Sequence, residues 1–138
     1  MDINYLISKA KEALNYSYSP YSKFRVGAAL LTKDGDIYLG ANIENSSYGL
    51  SMCAERNATF NAYCHGVKKN DIKALCIIGD TENPISPCGA CRQVLSELLP
   101  KDTIIVLANL KGNYKITSID DLLPYSFTKD DLKWKVVL

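Results

Sequence analysis

The chain has 138 residues, 47% of them apolar, and a formal net charge of +1. This length fits one domain of ordinary size, and the balanced charge excludes a disordered polyelectrolyte and a polybasic surface for nucleic acid. No stretch is apolar for long enough to span a bilayer, and the start MDINYLISKAKEALNYS lacks the apolar core of a secretion signal. We therefore expect one globular cytoplasmic domain over residues 1–138.

The first half of the chain predicts a helix, a hairpin and a second helix. Asp2 can cap a helix with apolar residues on one face, and the turn-rich segment YSYSPYSKF follows it. The strand RVGAALLT at residues 25–32 turns at Asp34-Gly35 and returns as IYLGAN, which is typical of a hairpin. After the polar loop IENSSYGLS, the segment CAERNATFNAYCHG predicts a helix that ends near Gly66.

The second half of the chain alternates strands with helices. IKALCIIG is a nearly continuous apolar run, as a strand covered on both faces requires. Pro87 opens the helix CGACRQVLSELL, which stops at Pro100. TIIVLANL predicts another buried strand, residues 111–113 turn it into the strand YKIT, and the short helix SIDDLL follows. This order implies a sheet layered between helices.

Three of the five cysteines fall where helices are predicted to begin. Cys53 opens one helix, Cys88 opens the next, and Cys91 lies one turn along the same face. The partial positive charge and free N–H groups of a helix N-terminus lower the pKa of a thiol, and the thiolate is the form that binds metal. If the two helices pack side by side on one sheet face, the three thiolates can converge on one ion, most commonly zinc.

Three protein ligands leave one tetrahedral position of a zinc ion open. An open position is typical of catalytic zinc, since water fills it and the pKa of that water falls toward ~7. Glu55, two residues after Cys53, is placed to take and return the proton of this water. Three thiolates and a divalent ion carry one net negative charge, and ionised Glu55 adds another. Arg56 could compensate this charge by hydrogen bonding to a cysteine sulfur, and Arg92 is a second candidate.

The same cysteines allow other interpretations. A lone C-x-x-C can be redox-active, but that chemistry needs neither Cys53 nor Glu55. A structural zinc site needs a fourth ligand. Cys76 lies inside an apolar strand and is most simply a core residue. Cys64 and His65 lie about 16 Å from the start of their helix at ~1.5 Å per residue, too far to complete the site. The pattern therefore favours a catalytic zinc ion.

Longer motifs carry a resemblance to a known family. C-A-E at residues 53–55, followed by P-C-G-A-C at 87–91, resembles the signature of the zinc-dependent nucleoside deaminases. The blocks YSPYSKFRVGAAL, GANIENSSYGLSMCAERNA, PCGACRQVL and LLPYSF extend the resemblance over nearly the whole chain, toward the small homotetrameric cytidine deaminases. The resemblance implies an α/β fold, namely a three-layer α/β/α sandwich with a central mixed five-stranded sheet.

The resemblance also implies the reaction. Cytidine and deoxycytidine would be deaminated to uridine and deoxyuridine with release of ammonia, as in pyrimidine salvage. Zinc-bound hydroxide would attack C4 of cytosine, with Glu55 as the proton shuttle. Cys53, Cys88 and Cys91 match the ligands of one zinc ion per subunit.

Further positions match residues that contact the nucleoside. Asn42 and Glu44 match the pair that binds the ribose 3′-hydroxyl, and an amide with a carboxylate can donate to and accept from one hydroxyl. Phe24 matches an aromatic that packs against the base, although core packing explains it equally well from the residue alone. The backbone of Ala54 and of the segment before Cys88 would contact the base edge.

The resemblance also implies how the subunits assemble, through two aromatic residues. Tyr48 and Phe127 match residues that reach into the site of a neighbouring subunit. Each active site would then be shared between chains of a homotetramer, and an isolated monomer should be inactive. The tail from residue 129 to 138 gives no assignment, but Trp134 and the apolar residues 136–138 could pack on the core or at a subunit contact.

Three alternatives stand beside a cytidine substrate. A blasticidin-type deaminase shares the CAE and PCGAC motifs, but the pair Asn42 and Glu44 favours cytidine. A deaminase of polynucleotides would need a basic groove with aromatic platforms, which the near-neutral charge and short loops disfavour. A zinc-stabilised binding module with a degenerate site would be expected to lack Glu55. The sequence therefore predicts an enzyme for a small nucleoside, with neither nucleic acid nor membrane as partner.

Overall fold

The computed structural model describes residues 1–132. The apolar end of the tail, with Trp134, lies outside the described residues. The helices and strands of the described part are α1 (Ile3–Ala13), β1 (Val26–Thr32), β2 (Ile37–Ala41), α2 (Ala54–Cys64), β3 (Ile72–Gly79), α3 (Gly89–Leu98), β4 (Ile104–Asn109), β5 (Tyr114–Thr117) and α4 (Ile119–Leu122). Over residues 1–132 the structure contains no helix with the length and apolar character that a membrane crossing requires.

The five strands form one mixed sheet in the order β2-β1-β3-β4-β5. β3 and β4 run parallel, and the other neighbouring pairs are antiparallel. The hairpin between β1 and β2 turns at Gly35, whose φ of 93° lies in the left-handed region that favours glycine. The predicted order of elements is confirmed. The main shift is at α3, which begins at Gly89 with Cys88 as its N-cap, two residues after Pro87.

Helices cover both faces of the sheet. One face packs against α1, and its buried core contains Leu6, Ala10, Leu14, Ala29, Ala74, Cys76, Ile78, Val106 and Ala108. The other face packs against α2, α3 and α4, through a core that includes Ala58, Leu75, Ile77, Leu95, Ile105 and Leu122. Successive residues of β3 alternate between these two cores, which explains why the strand is apolar almost throughout. The predicted α/β/α sandwich is therefore confirmed.

Two glycines of the hairpin allow close approach of a helix. A Cβ atom at Gly40 would lie 2.2 Å from the nitrogen of Ala58 and 2.5 Å from the carbonyl oxygen of Ala54, both in α2. On the opposite face, a Cβ atom at Gly27 would lie 2.2 Å from the carbonyl oxygen of Ala10 in α1. Only glycine fits at either point without movement of the helix.

Side-chain amides fasten α2 to the edge strand β2. Asn57 Nδ2 donates to the carbonyl oxygen of Ala41 at 2.8 Å, and Asn61 Nδ2 donates to that of Leu39 at 3.1 Å. The two asparagines are one helical turn apart, so both face the same strand. Together with the close approach at Gly40, these bonds fix the position of the helix that begins directly after Cys53.

Candidate active site and metal centre

Three cysteine sulfurs meet at the N-termini of α2 and α3. Cys53 and Cys88 are the N-cap residues of the two helices, and Cys91 lies in the first turn of α3. The Sγ atoms of Cys53 and Cys88 are 4.0 Å apart, and those of Cys88 and Cys91 are 3.3 Å apart. All three sulfurs lie within 4.8 Å of one another. In the described part of the chain this is the one cluster of three or more such ligands that could hold a metal ion.

The geometry of this cluster fits zinc. Zn–S bonds of about 2.3 Å in a tetrahedron place two sulfurs about 3.8 Å apart, and the two measured separations lie on either side of that value. Cys91 is buried, Cys53 is half-buried and Cys88 is exposed, so the cluster is open on one side. Three sulfur ligands with an open side leave a coordination position for water or a substrate atom.

Arg56 stabilises negative charge on the sulfur cluster. Hydrogen bonding from the Cys91 thiol is the main cause that lowers the pKa of Cys53 to about 5, and Arg56 adds to this. The Nη2 atom of Arg56 donates to Cys53 Sγ at 3.5 Å. The same contact with Cys53 raises the pKa of Cys91. Cys53 therefore carries thiolate character beside a cation, which is the state a metal ligand needs.

The guanidinium of Arg92 donates its hydrogen bonds to oxygen atoms. Its Nε donates to the carbonyl oxygen of Pro87 at 2.9 Å, and its Nη1 to that of Leu122 at 2.7 Å. Its Nη2 donates to Ser86 Oγ at 2.7 Å. The prediction of Arg92 as a second partner for a cysteine sulfur is wrong, because its guanidinium fastens the segment before Cys88 to α4.

Glu55 lies in the first turn of α2, and only 4% of its surface is exposed. Burial is the main cause that raises the pKa of its carboxyl group, and the negative charge of Cys53 acts in the same direction. A raised pKa makes the carboxylate a stronger base and keeps the acid form populated to higher pH, which favours both acceptance and donation of a proton. Glu55 is thus suited to proton transfer beside the sulfur cluster.

A cavity of about 270 Å³ opens beside the cluster. This volume is close to the lower end of the range for small-molecule sites, about 300–1,000 Å³. Its walls bring together the sequence-predicted residues Phe24, Asn42, Glu44, Cys53, Ala54, Glu55 and Cys88. Sequence reasoning did not single out Met52 and Ile85, which also line it. Apolar residues such as these carry no sequence signal that separates a cavity wall from the core.

Two sequence-predicted aromatics lie outside this cavity within the single chain. Tyr48 is 71% exposed and Phe127 is 58% exposed, and neither lines the cavity. Tyr48 meets the ring of Tyr21 edge-on, with centroids 6.1 Å apart. Gln93 Nε2 donates to the backbone oxygen of Phe127 at 3.0 Å. Both aromatic rings therefore present apolar surface on the outside of the molecule.

The side chain of Glu44 is held by the loop before β1. The backbone N–H groups of Tyr21 and Ser22 donate to its Oε1 at 3.0 and 3.1 Å, and the Ser22 hydroxyl donates to its Oε2. The bond from the Ser22 hydroxyl is the main cause that lowers the pKa of Glu44. Glu44 is therefore an ionised acceptor in a fixed orientation.

The side chain of Asn42 is held by the same region of the chain. Its Oδ1 accepts from Ser17 Oγ at 2.5 Å and from the nitrogen of Val26 at 2.9 Å, and its Nδ2 donates to the carbonyl oxygen of Phe24 at 2.8 Å. Sequence reasoning missed the serines that hold Asn42 and Glu44. Their segment, YSYSPYSKF, signals a turn but not the partner of each hydroxyl.

Comparison with known proteins agrees with this geometry. The family model described as the cytidine and deoxycytidylate deaminase zinc-binding region matches residues 1–107. The chain is 51% identical over 132 residues to a cytidine deaminase of Halalkalibacterium halodurans, covering 96% of this chain and 98% of that protein. It is also 51% identical over 134 residues to a cytidine deaminase of Sporosarcina psychrophila, covering 97% of each.

A solved structure shares the fold. The crystal structure of cytidine deaminase from Burkholderia pseudomallei superposes with a TM-score of 0.90 at 48% identity, covering 92% of this chain and 100% of that one. The fold and the sulfur cluster thus define a zinc-binding deaminase domain. The chain belongs to the cytidine and deoxycytidylate deaminase family. Its Cys53, Cys88 and Cys91 can hold one zinc ion.

Proposed function

We propose that the protein is a cytidine deaminase, a hydrolase that acts on a cyclic amidine. It converts cytidine and deoxycytidine to uridine and deoxyuridine and releases ammonia. The observation that carries the proposal is the buried carboxyl group of Glu55 beside a three-sulfur cluster, at the wall of a small-molecule cavity. The identity with cytidine deaminases over nearly the full length of both chains supports the same activity.

The reaction replaces the amino group at C4 of cytosine with an oxygen from water. Zinc held by Cys53, Cys88 and Cys91 would supply a Lewis acid that makes water nucleophilic near neutral pH. Glu55 delivers one proton of this water to N3 and the other to the leaving amino group. The C4–O bond forms and the C4–N bond breaks, so the products are uridine and ammonia. Glu55 ends the cycle in its starting protonation state.

Arg56 offsets the negative charge of the site. Three thiolates would outweigh the charge of one zinc ion, and the excess negative charge would disfavour loss of a proton from water at the site. The hydrogen bond from Arg56 Nη2 to Cys53 Sγ places a cation against this excess. The N-termini of α2 and α3 add partial positive charge at the same sulfurs. We assign Arg56 to charge compensation rather than to contact with the substrate.

The rest of the cavity wall suits a nucleoside. Asn42 and Glu44 bind the ribose 3′-hydroxyl, Phe24 packs against the base, and the backbone of Ala54 contacts the base edge. A site with hydrogen-bonding groups for a hydroxyl rejects analogues that lack it. Free cytosine should therefore be a poor substrate. Deoxycytidine should react, because it retains the 3′-hydroxyl.

The active enzyme is a homotetramer whose sites are shared between subunits. The large exposure of Tyr48 and Phe127, outside their own chain's cavity, supports a role in the cavity of a neighbour. We take residues 1–138 as one catalytic domain that works in the cytoplasm in pyrimidine salvage. Gel filtration with activity measured across the column tests the assembly, and activity in a monomer fraction would contradict shared sites.

A substrate panel tests the activity. Zinc-loaded protein is mixed separately with cytidine, deoxycytidine, cytosine, CMP and blasticidin S, and both the ultraviolet band of the cytosine ring and ammonia release are followed. We expect fast turnover of the two nucleosides and slow turnover of cytosine and CMP, the latter because Tyr48 and Phe127 would close the 5′ end. Failure on both nucleosides by protein with one zinc per chain would refute the proposal. Turnover of CMP or blasticidin S alone would reassign the substrate.

A further inference from the structure

We propose that Ser22 is a positioning residue that sets the selectivity of the site for the substrate hydroxyl, because it directs the free acceptor of Glu44. The inference rests on the proposed function and on the role of Glu44 in binding the ribose. Ser22 lies in the loop before β1, and its hydroxyl does not need to touch the substrate.

The acceptor capacity of Glu44 is almost fully used inside the protein. A carboxylate offers about four lone-pair positions, two on each oxygen. The N–H groups of Tyr21 and Ser22 occupy Oε1, and the hydroxyl of Ser22 occupies one position of Oε2. One acceptor position therefore stays open, and it lies on Oε2.

The direction of the Ser22 hydroxyl is also fixed. The backbone N–H of Phe24 donates to Ser22 Oγ at 3.0 Å. Because this N–H uses a lone pair of the hydroxyl oxygen, the hydroxyl proton points away from it and toward Glu44 Oε2. The Ser22 hydroxyl thus acts as a directed donor and not as a free rotor.

The backbone of the loop is shaped to hold this arrangement. Lys23 has a φ of 61°, in the left-handed region that a lysine seldom adopts, and its N–H donates to the carbonyl oxygen of Ser19 at 3.0 Å. This closed turn keeps the N–H groups of Tyr21 and Ser22 directed at Glu44. Unusual backbone conformations of this kind persist where the surroundings hold them, often at functional sites.

Most hydrogen-bonding positions of the Asn42 side chain are also occupied inside the protein. Its Oδ1 already accepts two hydrogen bonds and its Nδ2 already donates one, to the carbonyl oxygen of Phe24. One N–H of Asn42 and one acceptor of Glu44 therefore stay open in the cavity. One donor with one acceptor is the complement of a single hydroxyl. Without Ser22, Glu44 Oε2 would gain a second open position, and the carboxylate would lose the bond that orients it.

The test separates binding of the hydroxyl from general damage to the loop. The values of kcat/KM are measured for wild type, Ser22→Ala and Ser22→Thr with cytidine and with 3′-deoxycytidine. Ser19→Ala is the matched control, because it removes a loop hydroxyl that contacts Ser17 and neither Asn42 nor Glu44. A Glu44→Ala background, with and without Ser22→Ala, asks whether Ser22 acts through Glu44.

We expect Ser22→Ala to lower kcat/KM for cytidine by about tenfold or more, mainly through KM, as for the loss of a hydrogen bond to a charged group. The value for 3′-deoxycytidine should stay within about twofold, and both Ser22→Thr and Ser19→Ala should resemble wild type. In the Glu44→Ala background the loss of Ser22 should have no further effect.

Different results would overturn the role of Ser22 and the proposed function. Unchanged selectivity in Ser22→Ala would overturn the role of Ser22, and so would an equal loss on both substrates. Failure of Ser22→Thr to retain activity would also overturn it, because that variant keeps the hydroxyl. A wild-type enzyme with no turnover of cytidine would refute the proposed function itself, and the inference would fall with it.

Discussion

Gly40→Ala is predicted to disturb the metal site through the packing of α2. The added methyl group would lie 2.2 Å from the nitrogen of Ala58, whereas ordinary contact begins near 3.4 Å. Backbone atoms cannot turn aside as a flexible side chain does, so α2 has to move by about 1 Å, at an overpacking cost of about 1–3 kcal/mol. Metal–ligand distances tolerate only about ±0.2 Å. The displaced N-terminus of α2 would therefore bring Cys53 out of position for the ion.

Gly27→Ala provides the matched control. It creates a clash of the same size, 2.2 Å from the carbonyl oxygen of Ala10, but on the sheet face covered by α1, which carries no residue of the candidate site. Both variants should unfold several degrees below wild type, at about 2–4 °C for each kcal/mol in a domain near this size. Only Gly40→Ala should also release zinc early.

The assay measures the rate of zinc release to a chelator that changes colour when it binds zinc. Thermal unfolding is measured on the same samples. We expect zinc to leave Gly40→Ala at least about tenfold faster than Gly27→Ala. Equal zinc release from the two variants at comparable loss of stability would show that α2 adjusts to the added methyl group without moving Cys53, contrary to this prediction.

Two further predictions concern charge and protonation. Arg56→Gln should keep its fold but lose about tenfold or more in zinc affinity or turnover, because a neutral amide replaces the cation at Cys53 Sγ. Unchanged zinc content and kinetics in this variant would show that Arg56 does not compensate the charge of the site. Burial raises the pKa of Cys76 to about 12, so the native state retains a proton that the unfolded state loses above pH ~9. From this group, the free energy of unfolding should fall by up to ~1.4 kcal/mol per pH unit between about pH 9 and 12. Denaturant titrations of Cys76→Ala should show a shallower fall over that window, and an equal slope would contradict the buried thiol's role.

The sulfur cluster could be predicted from the sequence because helix geometry links the position of a residue in the chain to its position in space. Cys53 and Cys88 precede helices, and the N-terminus of each helix lies against the same cavity once both helices pack on one sheet face. The spacing of Cys88 and Cys91 is one helical turn, so their sulfurs share a face. These relations are local and need only one assumption about packing, which the structure bears out.

The rest of the site depends on contacts between distant segments. Ser22 and Glu44 are separated by 22 positions, and no local pattern states that their side chains meet. Arg56 and Arg92 look equivalent in sequence, since each directly follows a site residue. They differ in the structure because the segment before α3 offers Arg92 the carbonyl of Pro87 and the hydroxyl of Ser86. Gly40 did carry a usable signal, since glycine inside a strand often marks close approach of another backbone.

The role of Glu55 as proton shuttle is tested by comparing wild type with Glu55→Gln, for zinc content and for loss of the cytidine absorbance band. Glutamine keeps the size of the side chain but cannot transfer the proton, so the variant should bind one zinc per chain and turn over cytidine about 10²–10⁴-fold more slowly, or not at all. A zinc-loaded Glu55→Gln that deaminates cytidine at a rate near wild type would show that the buried carboxyl group is not the proton shuttle.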